Sequence, residues 1–198
     1  RDISRIDLQD GNKRSDLLIG GVPSAVWATA LGITPDRRKL AVALGADGRF
    51  ENLNNDRISI VDVADGKFSL LGEVHLQEEP CQDLAFSADS RFVYVAAQRR
   101  TSSVPLLYEV RLTPPFDVTR SLPLPGSKLG GIAVCSRLQR VFVSDSVQRK
   151  ILGIDLKTFK PIRGWSLNGY TPGPLRLDGR EEMLAVVDRE SRKLFLLD

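Results

Sequence analysis

The chain has 198 residues, and its 28 lysines and arginines nearly balance its 25 aspartates and glutamates, giving a net charge of +3 at pH 7. The overall balance does not indicate the basic stripe of a nucleic-acid-binding protein, so no nucleic-acid partner is expected. The longest apolar run, 25–33, contains Thr29 and Gly32 and is far below the ~20 residues that a membrane-spanning helix needs.

The predicted elements are short strands that repeat along the chain. A strand at 3–8 and another at 16–19 come first, and from there a cycle of four strands recurs. Runs such as 92–95, 141–143 and 184–187 consist mainly of β-branched, aromatic and aliphatic residues and lie between polar turns, which is typical of strands. We find no apolar period of three to four residues that is long enough to predict a helix.

Two markers of the repeat run in phase. The first is an apolar residue followed by an acidic one, at Ile6-Asp7, Val61-Asp62, Tyr108-Glu109, Ile154-Asp155 and Leu197-Asp198. The second is a polar turn that enters an apolar strand, at 33–42, 86–95, 134–143 and 177–186. A radially repeated unit of roughly 40–50 residues with four antiparallel strands is a β-propeller blade. We name its strands A to D from the axis outwards.

The sequence therefore predicts an all-β fold, a β-propeller of four-stranded antiparallel blades with about four blades in one domain. The boundaries are 1–19 for strands C and D of an incomplete blade, 20–75 for blade 1, 76–123 for blade 2, 124–167 for blade 3 and 168–198 for an incomplete blade 4. We expect a segment of a larger ring of six to eight blades. The alternative is a four-bladed ring with a spare strand.

The repeats resemble known propeller families. The segment FSADSRFVYVAA (86–97) resembles the repeat of YVTN-type propellers, which are similar to the β chains of quinoprotein amine dehydrogenases. The segment GGIAVCSRLQRVFVSDSVQRKILGIDL (130–156) resembles NHL and YWTD repeats. The resemblance covers nearly the whole chain and is specific for the fold. It implies export to the periplasm or the cell surface.

Few residues suggest catalysis. His75 is the single histidine, and we interpret it as a partly exposed residue at a sheet edge. No sequence motif for zinc, phosphate, dinucleotide or serine-nucleophile chemistry occurs, so whether the chain is an enzyme stays open, with a non-catalytic chain favoured.

Cys81 and Cys135 fall at opposite ends of A strands, beyond the ~7 Å reach of a disulfide, and are predicted to be buried free thiols.

Four aspartates are candidate metal ligands. Asp145 and Asp188 follow strand B in consecutive blades, while Asp47 and Asp56 lie in the long B–C loop of blade 1. Metal-dependent lactonases of the gluconolactonase type, which resemble NHL-like propellers, hold their ion with such oxygens, and Ca²⁺ is the candidate cofactor. The alternatives are turn capping for Asp145 and Asp188 and a solvated loop for the other two.

Cations also gather in or beside the B–C loops. They are Arg49, Arg57, Arg99, Arg100, Arg149, Lys150, Arg189 and Arg192. Since these loops share one mouth of a propeller, the cations form a candidate surface for a protein partner or an anionic ligand. An ordinary solvated surface is the alternative.

The leading hypothesis is a non-catalytic binding or scaffold module that displays loops to a protein partner. That partner is another protein chain or the missing remainder of the propeller. A metal-dependent hydrolase of the lactonase or esterase kind is the first alternative. The second, which follows from the family resemblance, is the propeller subunit of a quinoprotein-type redox enzyme whose cofactor lies on another chain.

Overall fold

The computed structural model describes residues 2–6, 14–18, 26–46, 56–64, 68–76, 80–98 and 104–198. Within these ranges every regular element is a strand, and no helix there is long and apolar enough to cross a membrane. The all-β prediction is confirmed.

The strands form five antiparallel sheets. The first contains β1 (Asp2–Ile6) and β2 (Arg14–Leu18). Blade 1 contains β3 (Val26–Ile33), β4 (Lys39–Ala46), β5 (Arg57–Asp62) and β6 (Ser69–His75). Blade 2 contains β7 (Cys81–Phe86), β8 (Phe92–Ala97), β9 (Leu106–Arg111) and β10 (Val118–Pro123). Blade 3 contains β11 (Leu129–Cys135), β12 (Arg140–Asp145), β13 (Lys150–Asp155) and β14 (Lys160–Ser166). Blade 4 contains β15 (Pro172–Leu177), β16 (Leu184–Asp188) and β17 (Leu194–Leu197).

The blades pack side by side through their first strands. β3 lies against β7, β7 against β11, and β11 against β15, which places the A strands at the axis as a propeller requires. Within each blade the chain runs as a meander, so the A–B and C–D turns lie at one end of the sheets and the B–C and D–A connections at the other. The predicted propeller architecture is confirmed.

In blades 2 and 3, both faces of the central strands B and C are buried. In β8, Val93 and Val95 belong to the apolar cluster shared with blade 1, whereas Tyr94 and Ala96 belong to the cluster shared with blade 3. Since side chains alternate along a strand, a continuous apolar run such as FVYVAA supplies both interfaces. A third cluster joins blades 3 and 4.

The A–B turns share one geometry without sharing a sequence. The Thr34 hydroxyl accepts a hydrogen bond from the Lys39 amide at 3.0 Å, and Asp36 accepts one from the Arg38 amide at 3.0 Å. The fourth residue of each turn is in the left-handed region and is not glycine; these residues are Arg37, Ser90, Gln139 and Glu181. Side-chain hydrogen bonds in blade 1 therefore hold a turn that would otherwise favour glycine.

A buried polar cluster ties blade 2 to blade 3. Glu109 is only 4% exposed and accepts hydrogen bonds from Arg120 Nε at 2.9 Å, Thr119 Oγ1 at 2.6 Å and Tyr94 OH at 3.0 Å. Burial by itself raises the pKa of Glu109, but these hydrogen bonds outweigh it and hold the pKa below its usual value. Arg120 Nη1 also donates to the Leu156 carbonyl of blade 3 at 2.9 Å.

We expect Gly131→Ala to lower the thermal stability of the protein. A β-carbon at Gly131 would lie 2.7 Å from both Leu175 N and Pro174 Cα, which are backbone atoms of β15. The two blades would have to separate, at a cost of about 1–3 kcal/mol. Gly179→Ala is the control because no atom lies within 4 Å of its β-carbon position. Equal melting temperatures for the two variants would contradict this packing.

Arg120→Ala should also destabilise the protein, because it leaves the buried Glu109 carboxylate without its cation. We expect a loss of about 2 kcal/mol, below the ~3–5 kcal/mol for breaking a fully buried ion pair, since the Arg120 side chain is 34% exposed. Arg163→Ala is the control. Arg163 occupies the corresponding position of β14, opposite Gly153, and should change the unfolding free energy by less than about 0.5 kcal/mol in urea denaturation.

Candidate functional site

The B–C ends of blades 3 and 4 are organised by two buried aspartates. Asp145 Oδ1 accepts hydrogen bonds from the amides of Lys128 at 3.2 Å, Val147 at 3.1 Å and Gln148 at 3.0 Å. Because Lys128 lies in the D–A connection and the other two lie in the B–C turn, one carboxylate oxygen joins both segments. Asp145 is fully buried, and its Oδ2 has no hydrogen-bond partner.

Asp188 has the corresponding role in blade 4. Its Oδ1 accepts a hydrogen bond from the Thr171 amide at 2.7 Å, and its Oδ2 accepts one from the Ser191 amide at 2.7 Å and another from the Ser191 hydroxyl. The hydroxyl hydrogen bond is the largest cause of a lowered pKa for Asp188, and the backbone amides add to it against the opposing effect of burial. The ionised carboxylate is therefore the form that holds the turn.

The hydrogen bonds agree with the turn-capping interpretation of Asp145 and Asp188. Within the described ranges no group of three or more histidine, cysteine, aspartate or glutamate residues is arranged to hold a metal ion. Asp56 is described and buried, whereas Asp47 lies outside the described residues. The Ca²⁺ assignment of these four aspartates stays a prediction.

The cations of the B–C loops fall into two groups. Arg57 is buried, with Nε 3.0 Å from Glu73 Oε1, an oxygen that also accepts a hydrogen bond from the Ser59 hydroxyl at 2.9 Å. It is therefore part of the blade interior. The exposed cations are Arg149, Arg189 and Arg192, with Lys150 partly exposed. Arg49, Arg99 and Arg100 lie outside the described residues.

The exposed arginines occupy matching places in successive blades. Arg149 and Arg192 are the last residues of the two B–C turns and share a left-handed backbone, with φ of 50° and 59°. Arg189 begins the second turn, and its Nη2 lies 3.4 Å from the Gly130 carbonyl of blade 3. Beside them, the Lys193 ammonium lies 5.8 Å from the Tyr170 ring centroid. We call the surface formed by Arg149, Lys150, Arg189, Arg192 and Lys193 the basic face.

The structure also describes the single histidine and the two cysteines that were considered from the sequence. His75 is exposed at the end of β6. Cys81 and Cys135 are free and buried, as predicted, and burial is the main cause of the raised pKa of each thiol. These thiols are therefore poor nucleophiles.

Sequence reasoning missed an ion pair near the axis. Arg176 Nη1 of β15 lies 3.0 Å from Asp83 Oδ2 of β7, and the same oxygen accepts a hydrogen bond from the Ile132 amide of β11 at 3.2 Å. These residues adjoin a cleft of about 300 Å³ that the four A strands line. No local motif predicts this pair, because its two side chains are 93 positions apart.

We expect Asp188→Ala to lower the melting temperature at pH 7, because three hydrogen-bond donors lose their acceptor. The folded-state pKa of Asp188 lies below its ordinary value of 3.8. The stability that its ionised form contributes is therefore present above that value and is lost as the pH falls through the folded-state pKa. Thermal unfolding at pH 7 and at about pH 2 measures this.

The difference between Asp188→Ala and the unmodified protein should shrink at the lower pH. Glu190→Ala, in the same turn but exposed, is the control and should leave the melting temperature unchanged at both values. A difference that persists undiminished at low pH would contradict the capping role.

No family model matches the sequence, and no curated protein matches it. The solved structures that it resembles include the β-propeller domain of Cps50 (Swd1) from Myceliophteria thermophila, with 12% identity and a TM-score of 0.75 over 100% of this chain and 63% of that one. They also include Kuenenia stuttgartiensis hydrazine synthase, with 14% identity and a TM-score of 0.80 over 100% and 58%. A third is a chain of the mitotic checkpoint complex, with 12% identity and a TM-score of 0.74 over 99% and 54%.

The chain therefore spans between 54% and 63% of the length of these structures. At identities this low the likeness concerns the fold alone. What the comparisons and the geometry together establish is a β-propeller with antiparallel blades.

Proposed function

We propose that this propeller is a non-catalytic binding or scaffold module and that its basic face binds an acidic surface of a protein partner. The observation that carries the proposal is a difference in exposure between the acidic and the basic residues in the B–C turns of blades 3 and 4. Asp145 and Asp188 are buried and accept hydrogen bonds from backbone amides, while the arginines of the same turns are exposed.

Exposure and lack of partners make these cations available. Arg149, Arg192 and Lys193 are exposed, and none of them takes part in an ion pair within the described part of the chain. Glu190 is the one exposed acid in the two turns 146–149 and 189–192. The exposed charge of these two turns is therefore positive although the whole chain is nearly neutral, and a positive surface favours association with acidic surfaces.

The support beneath the basic face is rigid. The capping aspartates fix both turns to the D–A connections, and the turn of blade 3 rests on β12 and β13, whose apolar side chains are buried. Arginine presents five donors in a planar fork that matches a carboxylate. Binding costs less conformational entropy when the donors are already positioned. This geometry therefore favours recognition of a folded or extended acidic segment.

We also propose that the chain is a YVTN-type propeller and that it is exported to the periplasm or the cell surface. The segment FSADSRFVYVAA forms the end of β7, its turn and β8, which is the placement that a YVTN-type repeat would have, and export would follow from that resemblance. Swd1 and the mitotic checkpoint complex include propellers of similar shape. The second of these is an assembly of proteins, as its name states, and this fits a scaffold role for the fold.

Charge reversal of the basic face tests the proposal. The variant carries Arg149→Glu, Arg189→Glu and Arg192→Glu, and the probe is a fluorescein-labelled poly-glutamate peptide at about 50 and 150 mM salt. We expect the unmodified protein to bind the probe more weakly at the higher salt, and the variant to lose at least about tenfold in affinity.

The matched control carries Arg37→Glu, Arg38→Glu and Arg180→Glu, which change the net charge equally but lie in A–B turns at the other end of the blades. It should bind the probe like the unmodified protein. Equal losses in both variants would indicate a general charge effect, and undiminished binding by the first variant would remove the basic face as the binding surface. Either result would overturn the proposal.

A further inference from the structure

The D–A connection of blade 4 contains the one asparagine of the chain that is followed by glycine, Asn168-Gly169. Both residues are exposed. They are the middle residues of a four-residue turn, which the Tyr170 amide closes by donating to the Leu167 carbonyl at 2.7 Å. Gly169 has a φ of 86°, whereas Asn168 is not in the left-handed region, so this is a type II turn.

The turn has the space that a ring closure within its backbone needs. Apart from its two chain neighbours, no residue comes within 4 Å of the position that a β-carbon would have at Gly169. The Gly169 amide donates no hydrogen bond to the backbone of the described ranges, and glycine restricts backbone rotation least of all residues. The Gly169 nitrogen can therefore turn towards Cγ of Asn168, the carbonyl carbon of its side chain, without meeting a neighbouring group.

A neighbouring hydroxyl activates the Asn168 side chain. Ser166 Oγ donates a hydrogen bond to Asn168 Oδ1 at 3.0 Å. A donor on this oxygen draws electrons from Cγ and stabilises the negative charge that the oxygen acquires when a nucleophile adds to the carbon. The contact therefore makes the Asn168 amide a better electrophile.

A second turn shows what protects a similar sequence. Asp178-Gly179 also has open space at its glycine, but Asp178 Oδ1 accepts hydrogen bonds from the amides of Met183 at 2.9 Å and Glu182 at 2.7 Å. These two hydrogen bonds, that of Met183 first, lower the pKa of Asp178. The carboxylate therefore stays ionised and is a poor electrophile, whereas the Asn168 side chain is a neutral amide.

We propose that Asn168 is a site of spontaneous deamidation. The Gly169 nitrogen attacks Asn168 Cγ and forms a C–N bond, the bond from Cγ to Nδ2 breaks, and ammonia leaves with the proton of the Gly169 amide. Water then opens the succinimide ring at either carbonyl, which gives aspartate or isoaspartate at position 168. The net change converts an amide and a water molecule into a carboxylic acid and ammonia, and nothing is oxidised or reduced.

The modification places a new carboxylate beside the basic face. The connection that holds Asn168 contacts the B–C turn of blade 4, because the Arg189 amide donates to the Thr171 carbonyl at 3.0 Å and the Lys193 ammonium lies 5.8 Å from the Tyr170 ring centroid. A negative charge next to these cations weakens their attraction for an acidic partner. This consequence rests on the binding function proposed above, whereas the chemistry of Asn168 does not.

Mass spectrometry tests the modification. The protein is kept for several days in neutral and in mildly alkaline buffer and is then digested with trypsin, which releases residues 164–176, GWSLNGYTPGPLR. We expect this peptide to gain the mass difference between a carboxamide and a carboxyl group, and to gain it faster in alkali because base removes the amide proton. A freshly prepared sample, digested in the same way, gives the background.

Two variants identify the groups that react. Asn168→Gln is the matched control, since glutamine would have to form a larger ring that closes more slowly, and its peptide should keep its mass. Ser166→Ala should deamidate at least about twofold more slowly than the wild-type protein, because the hydroxyl no longer polarises the carbonyl. An unchanged mass of the wild-type peptide after alkaline incubation would overturn the proposal, and an equal or faster reaction of Ser166→Ala would overturn the role of Ser166.

The fluorescein-labelled poly-glutamate peptide measures the effect on binding. Asn168→Asp carries the new charge from the start and should bind the probe about threefold more weakly than Asn168→Gln at low salt, with a smaller difference at higher salt. Equal affinities of these two variants would overturn the effect on the basic face. Because the mass measurement needs no probe, a protein that deamidates but binds no poly-glutamate contradicts the basic-face proposal alone.

Discussion

The rest of the structure depends on the need of each sheet to bury two apolar faces at once. A strand such as β8 places Val93 and Val95 on one side and Tyr94 and Ala96 on the other, so a blade is stable only between two neighbours. The blades must approach closely at the axis, where Gly131 leaves no space for a β-carbon and the Ser144 hydroxyl donates to the Gly173 carbonyl at 2.6 Å. Strand direction, turn position and the location of the basic face follow from this packing.

Under the same constraint, some charged residues are buried in hydrogen-bonded turns and others are exposed to solvent. Carboxylates at the B–C ends are drawn into the turns because buried backbone amides need acceptors, as Asp145 and Asp188 show. Arginines at the same ends have long side chains that reach solvent, so the exposed charge is positive. The B–C ends of blades 3 and 4 therefore present the exposed arginines.

Much of the fold could be predicted from the sequence, because strand alternation and turn chemistry are local. The Thr34–Asp36 turn and the buried free thiols are found in the structure, and Asp62 and Asp155 end their C strands as predicted. Glu109 instead lies inside β9. The site was less predictable. Arg57 directly follows a B–C loop, at the start of β5, but is buried against Glu73. The Glu109 cluster draws its donors from two other strands, β8 and β10. Such partners meet only after the sheets form, so no spacing along the chain reveals them.

The charged cluster at Glu109 has a consequence for how the blades lose structure. In a row of units that contact only their neighbours, stability is a sum of terms for each unit and each junction. The junction between blades 2 and 3 has both an apolar cluster and the Arg120 hydrogen bonds to the Leu156 and Lys157 carbonyls. Because charge-assisted hydrogen bonds add to the apolar contacts at this junction, we expect blades 2 and 3 to lose structure together, as one cooperative unit within the row.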